Sequence, residues 1–265
     1  MNGVTPDDMK SRAVFARALA ARAGDIVREM QAGIESRDKG GGRGPVTAAD
    51  LASEQLILDE IRNRYPGEAI VSEETLAAPA RGAGPVWCID PLDGTREYAQ
   101  GRDDYTVMIG LLVAREPVVG ALAIPATGRV VWGARGCGAW IDDDRAHVES
   151  LTDLDAATLI HSRSHTSPAL AAVLRRLRPR ATVAAGSAGY KAAQIITGEA
   201  QVYIHPRRGT MWWDSVAPAA VVLAAGGCFA DAFMNPIAYE GALEHETGLL
   251  FAVPGLEPAL RARLT

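Results

Sequence analysis

The sequence predicts a layered protein of mixed α and β structure in two sub-domains. Residues 1–150 read as helices packed on a mixed or antiparallel sheet, and residues 151–265 as an α/β unit. Three observations predict it. Two apolar-striped helical segments open the chain, a series of short apolar runs bounded by turn residues follows, and beyond about residue 150 strand-like and helix-like segments alternate. The length, 265 residues, suits one double-layered fold or two sub-domains.

The first helix begins at Thr5-Pro6-Asp7-Asp8, which supplies an N-cap, a proline for the first turn and acids facing the positive end of the helix dipole. Phe15, Leu19, Ala23, Ile26, Met30 and Ile34 form its expected apolar stripe. The glycines of the 39–45 segment are too costly in backbone entropy for a helix, so a mobile loop is expected there. A second helix starts at Thr47, with Asp50 completing a variant capping box. Leu51, Leu58, Ile61 and Tyr65 mark its buried face, and Pro66-Gly67 ends it. Strands are expected at 69–72, 86–89, 105–113, 118–124, 129–134 and 138–141, with a hairpin turn at 125–128. In the second part, strands at 157–161, 181–184 and 201–205 each precede a helix, at 168–177, 188–197 and 214–225. Strands at 228–231 and 249–253 follow.

Composition narrows the function. Hydrophobic residues make up 48% and charged residues 22%, which excludes a disordered or fibrous chain. The net charge of −5 argues against a nucleic-acid partner, which would call for basic neutralisation of phosphates. Cys88, Cys137 and Cys228 are widely spaced, which fits a reducing cytoplasm better than a disulfide framework. The opening residues lack a signal-peptide pattern, and no apolar run approaches membrane-spanning length, so no membrane partner is expected. His147, His161, His205 and His245 are scattered and read as loop or core residues.

The sharpest motif is Asp90-Pro91-Leu92-Asp93-Gly94-Thr95, which follows an apolar strand. Its two carboxylates can converge if the chain turns between them, and Pro91 favours a turn. The amides of Gly94 and Thr95 could then face an anion at a helix start. Alone, the motif reads better as an Asp-rich β-turn, because Asp and Gly are common in turns. Ser72-Glu73-Glu74, Asp214 and Asp50 offer further acids, each with an ordinary reading as a cap or solvated loop. Gathered at one spot, oxygen ligands with few histidines suit a hard cation such as Mg²⁺.

Together with Trp213-Asp214-Ser215-Val216-Ala217-Pro218, Ala225-Gly226-Gly227, Val46-Thr47-Ala48-Ala49-Asp50 and Ser72-Glu73-Glu74, the Asp90–Thr95 run resembles the motifs of the inositol monophosphatase superfamily of Mg²⁺-dependent, lithium-sensitive phosphatases, in order and spacing over essentially the whole chain. Within it, Gly94-Thr95-Arg96-Glu97-Tyr98, Gly186-Ser187-Ala188-Gly189-Tyr190-Lys191 and Ser162-Arg163-Ser164-His165 resemble the bacterial 3′(2′),5′-bisphosphate nucleotidases. The resemblance implies a layered αβαβα sugar-phosphatase fold. It implies one Mg²⁺ held by Glu73, Asp90 and the Leu92 carbonyl, and a second by Asp90, Asp93 and Asp214. Glu73, rather than Glu74, is assigned by family position. The resemblance further implies that Asp50 and Thr95, with Glu73, activate a water. Gly94, Thr95, His165, Ser187, Lys191, Arg207 and Asp214 are implied as substrate contacts. It allows a third cation when the 39–45 loop closes, inhibition by Li⁺, and a homodimer.

Two departures bear on substrate. Arg207, with Arg208 beside it, stands where inositol phosphatases usually place a glutamate. The pair suits a second phosphate, or is a solvated surface pair. Trp212 replaces an acid common in nucleotidases, and either stacks on a base or packs an interface, packing being the expectation. The expected activity is hydrolysis of the 3′-phosphate of 3′-phosphoadenosine 5′-phosphate, a small phosphorylated substrate, to AMP and phosphate, linked to sulfate assimilation. The rivals are an inositol-1-phosphate or other sugar-phosphate phosphatase and an inactive nucleotide-binding regulator.

Overall fold

The computed structural model describes residues 5–32, 36–38, 45–75, 84–164 and 166–264. The order of elements is α1 (Pro6–Glu29), β1 (Ser36–Asp38), β2 (Pro45–Thr47), α2 (Ala48–Arg64), β3 (Ala69–Ser72), β4 (Val86–Asp93), α3 (Thr95–Ala99), β5 (Thr106–Val113), β6 (Glu116–Ile124), β7 (Arg129–Ala134), β8 (Gly138–Ile141) and β9 (Asp144–Ala146). Then come β10 (Thr158–Ser162), α4 (Pro168–Leu177), β11 (Ala181–Ala185), α5 (Ala188–Ile196), β12 (Val202–His205), β13 (Thr210–Met211), α6 (Trp212–Ala224), β14 (Cys228–Ala230), β15 (Glu244–His245), β16 (Leu249–Ala252) and α7 (Glu257–Leu264).

Seven strands, β3 to β9 in chain order, form the first sheet. β3 runs parallel to β4 and the remaining pairs are antiparallel, so the sheet is mixed. The second sheet has the order β11-β10-β12-β16-β14, with β10 parallel to both β11 and β12, and β16 antiparallel to its two neighbours. Two faces of each central strand are buried. On β6, Val119, Ala121 and Ala123 meet α1, while Leu122 and Ile124 join the core shared with the second sheet. The layers are therefore α1 and α2, the first sheet, α5 and α6, the second sheet, and α4 with α7.

The caps form as the sequence predicts. The Asp8 amide donates to Thr5 Oγ1 at 3.2 Å, and Thr47 and Asp50 complete a capping box. The expected stripe of α1 is corrected, however. The helix ends at Glu29, and its buried row is Ala13, Ala16, Leu19, Ala20, Ala23 and Val27, with Phe15 and Ile26 only half-buried. Small residues let the helix lie close to the sheet, so the largest apolar side chains flank the contact. Leu51, expected to be buried, is 54% exposed, and Ser53, Glu54 and Ile57 take the inward face of α2. The 39–44 part of the glycine-rich segment lies outside the described residues; β1 and β2 pair on either side of it.

The contact that positions the site is α6 on the first sheet. Gly110 of β5 and Gly120 of β6 face each other in register beneath Ala217. A Cβ on Gly110 would stand 2.6 Å from the Ala217 nitrogen, and one on Gly120 would overlap the Ala217 carbonyl oxygen. The bare backbone at these two positions lets α6, with Asp214 in its first turn, lie directly on the strands. No described helix is long and apolar enough to cross a membrane.

Candidate active site

Asp90 and Asp93 lie three residues apart on one strand. A regular pleat would send them to opposite faces. Between them the register slips: Asp90 pairs with Met108 and Asp93 with Thr106, so Pro91 and Leu92 of β4 oppose the single residue Val107 of β5. The bulge restores both carboxylates to the face on which α5 and α6 pack. Pro91 sits inside the bulge, where its missing N–H forfeits no ladder bond, and Leu92 turns to the α1–α2 side. Ser53 of α2 donates to the Pro91 carbonyl at 2.8 Å, and the Leu92 amide donates to Asp90 Oδ1 at 3.1 Å.

Asp214 arrives from above, in the first turn of α6, where it accepts from the Met211 amide at 2.5 Å. One carboxylate oxygen from each of Asp90, Asp93 and Asp214 lies within 4.8 Å of the others. Glu73 follows β3, and its amide donates to the Ile89 carbonyl at 3.2 Å. Burial raises the Asp90 carboxyl well above its ordinary range, and the charges of Glu73, Asp93 and Asp214, with a hydrogen bond to Glu73, raise it further. Asp214 is raised likewise, by burial first and then by Asp93. Acids forced together in a buried place, with oxygen donors only, fit a divalent hard cation that removes their repulsion.

Beside them stands a second pair. Asp50 accepts from the Thr47 amide at 2.8 Å and the Thr47 hydroxyl at 2.6 Å through Oδ2, which leaves Oδ1 for the Thr95 hydroxyl at 3.1 Å. The Thr95 hydroxyl has a second acceptor, the Leu92 carbonyl, at 3.0 Å. Gly94, at φ +90°, turns the chain from β4 into α3.

The residues expected to contact substrate have the following surroundings. The Lys191 ammonium is buried and donates to the backbone carbonyls of Gly186 and of Ser187, the latter at 2.7 Å, while lying 4.9 Å from the Tyr203 ring. Burial pushes it down to about 8. Ser187 is also turned inward: its hydroxyl donates to Asp93 Oδ2 at 2.6 Å. Arg207 is exposed, and Arg208 is a surface residue paired with Glu244 through two bonds of 3.1 and 3.0 Å. Trp212 packs edge-on against Tyr239 in a buried cluster. His165 lies outside the described residues. The residues that sequence reasoning missed are Asp104 and Thr106. Asp104 accepts from the Gly186 amide at 2.6 Å, and Thr106 bonds the Ser187 hydroxyl at 2.7 Å. Neither belongs to a motif; an acid and a threonine near a strand start carry no signal in one sequence.

Comparison with known proteins places the chain among phosphatases. The model of the inositol monophosphatase family matches residues 8–256. A 3′-phosphoadenosine 5′-phosphate phosphatase from Mycobacterium leprae is 37% identical over 229 residues, 81% of this chain and 79% of that one. A 3′(2′),5′-bisphosphate nucleotidase, CysQ, from Escherichia coli is 31% identical over 227 residues, 83% and 91% of the two chains. Among solved structures, an inositol monophosphatase from Anabaena (Nostoc) superposes with a TM-score of 0.83 at 26% identity, covering 97% of this chain and 96% of that one.

Proposed function

The chain belongs to the inositol monophosphatase family, and from that premise we propose that this phosphatase is Mg²⁺-dependent and hydrolyses the 3′-phosphate of 3′-phosphoadenosine 5′-phosphate to AMP and phosphate. The observation that carries the reading is the meeting of Asp90, Asp93 and Asp214, brought from β4 and α6 to one point. Glu73, Asp90 and the Leu92 carbonyl would hold one Mg²⁺, and Asp90, Asp93 and Asp214 a second. When bound, the ions lower the pKa of a water and neutralise charge on the phosphate and the departing oxygen.

The chain's own residues do the rest. With the Leu92 carbonyl turned to a cation, the Thr95 hydroxyl hydrogen is directed to Asp50 Oδ1, and the hydroxyl oxygen is left to accept from the attacking water. Asp50, fixed by its two bonds from Thr47, is the proton's destination. The Gly94 and Thr95 amides would meet equatorial phosphate oxygens, where transition-state charge spreads. Arg207 and His165 are the remaining candidates for the second phosphate and the sugar. The relatives' names support an adenosine bisphosphate substrate. The same reading carries a role in sulfate assimilation and inhibition by Li⁺.

A substrate panel tests it. Expected are Mg²⁺-dependent, Li⁺-inhibited phosphate release and a higher kcat/KM for 3′-phosphoadenosine 5′-phosphate than for inositol 1-phosphate. A preference for inositol 1-phosphate overturns the substrate, and nucleotide binding without hydrolysis overturns the enzyme.

A further inference from the structure

The turn at 186–189 is clamped from two sides. From the segment just before β5, Asp104 Oδ2 accepts the Gly186 amide at 2.6 Å and stands 2.7 Å from an Arg163 guanidinium nitrogen. From below, the Lys191 ammonium donates to the Gly186 and Ser187 carbonyls. Gly186 is nested so tightly that a Cβ there would stand 2.5 Å from Glu97 Cγ and 2.7 Å from the Asp104 carbonyl oxygen. Between the clamps, Ser187 is held at φ +26°, a conformation that a side-chain-bearing residue keeps only when its surroundings enforce it.

The product of that strain is an oriented hydroxyl. Ser187 Oγ accepts from the Tyr190 amide at 3.0 Å and from Thr106 Oγ1 at 2.7 Å, so its one hydrogen goes to Asp93 Oδ2 at 2.6 Å. The Gly189 amide donates to the same oxygen at 3.0 Å. One oxygen of Asp93 is thereby fixed by two donors, which sets the orientation of the whole carboxylate beside Asp90 and Asp214.

We infer that Lys191 is a positioning residue: it holds the 186–189 turn so that Ser187 and Gly189 aim the Asp93 carboxylate at the cation, rather than binding a substrate phosphate itself. The inference rests on the metal-dependent reading above, though not on the identity of the substrate. Partners that orient a ligating carboxylate commonly govern 10–100-fold of metal affinity.

The test is calorimetric titration of Mg²⁺ alone into metal-free protein, for the wild type, Lys191→Met and Ser187→Ala. Lys191→Met should weaken Mg²⁺ binding by about 10–100-fold, and Ser187→Ala should weaken it in the same direction. The sign is diagnostic. A cation that acted only through space on Asp93 and Asp214 would compete with the metal, and its removal would tighten binding. Tighter or unchanged Mg²⁺ binding in folded Lys191→Met, or a raised KM with metal affinity intact, overturns the inference. Should Lys191→Met fail to give a cooperative melt, Ser187→Ala decides, and unchanged Mg²⁺ affinity there overturns it. Absence of Mg²⁺ binding in the wild type overturns the metal reading itself and the inference with it.

Discussion

The acid cluster has two halves that are built differently. Asp90, the Leu92 carbonyl, Thr95 and Asp50 are placed by a single β-bulge and by a helix cap, through bonds among residues 47 to 108. Asp93 and Asp214 are placed from far along the chain, by Ser187, Gly189 and the seat of α6. Under the proposed function, the water-activating pair sits within the first sheet and its helix, and the ligands of the second cation join β4 to α6. Loosening the contact between the sheets should disturb the second half before the first.

The sharpest break of that comparison is Asp93→Asn. It removes a proposed ligand of the second cation, and Mg²⁺-dependent phosphate release should fall by about a thousandfold or more while the melt is retained, since a charge-free amide weakens the cation that would neutralise the departing oxygen. Full turnover by this variant would exclude the assigned ligand set. Next in size is Asp50→Asn on the local half. Its remaining oxygen can still take the Thr47 amide, which keeps the cap, while its NH₂ faces Thr95 and reverses that bond. kcat should fall by about 10²–10⁴-fold with Mg²⁺ affinity nearly unchanged. Parallel kinetics and metal titration would separate the two halves.

The local half was legible in the sequence because its signals are local. The capping box, Asp90-Pro91-Leu92-Asp93 and Gly94 occupy short spacings that state their own geometry. The bulge itself was not legible; a turn between the acids was the expectation, and only the pairing with β5 shows how both carboxylates share a face. In the distant half, family likeness pointed to Asp214 as a ligand and to Lys191 as a substrate contact; the structure sets Asp214 beside Asp90 and Asp93 and turns Lys191 to backbone carbonyls. A lysine in a motif suggests an anion, and nothing in the sequence says that two backbone carbonyls will face it. The elements missed, such as β13, β15 and α7, are short or polar, and their pairing and packing partners lie far along the chain.

His245 offers a gentler probe of the distant half. It was read as a scattered histidine, yet its Nε2 bonds Ser215 Oγ at 2.7 Å, beside Asp214, while Tyr239 donates to the same hydroxyl at 3.0 Å. Burial pushes the imidazole down to about 4, from an ordinary 6.5. Below pH 6.5 the unfolded chain takes a proton at this position that the folded chain refuses, so stability falls as pH drops from 6.5 to about 4 and levels beyond. The contribution is at most about 3 kcal/mol. Denaturant melts across that window should show the wild type losing more stability than His245→Gln. Equal slopes would exclude a buried neutral imidazole.

The smallest expected effect comes from the glycine seat. Gly120→Ala places one methyl against the Ala217 carbonyl oxygen and 2.7 Å from a Val221 methyl, both on α6. The strand cannot retreat, because β6 is bonded to β5 and β7 and its other face is packed under α1. The helix must rise, at a cost of about 1–3 kcal/mol, typical of an overfilled core. Because Asp214 rides on α6 while Asp50 and Thr95 do not, the shift should weaken Mg²⁺ binding severalfold more than it lowers kcat at saturating Mg²⁺. A variant that loses stability but keeps both parameters would show that α6 moves without carrying its aspartate away from Asp93, and the two halves would then share one rigid support.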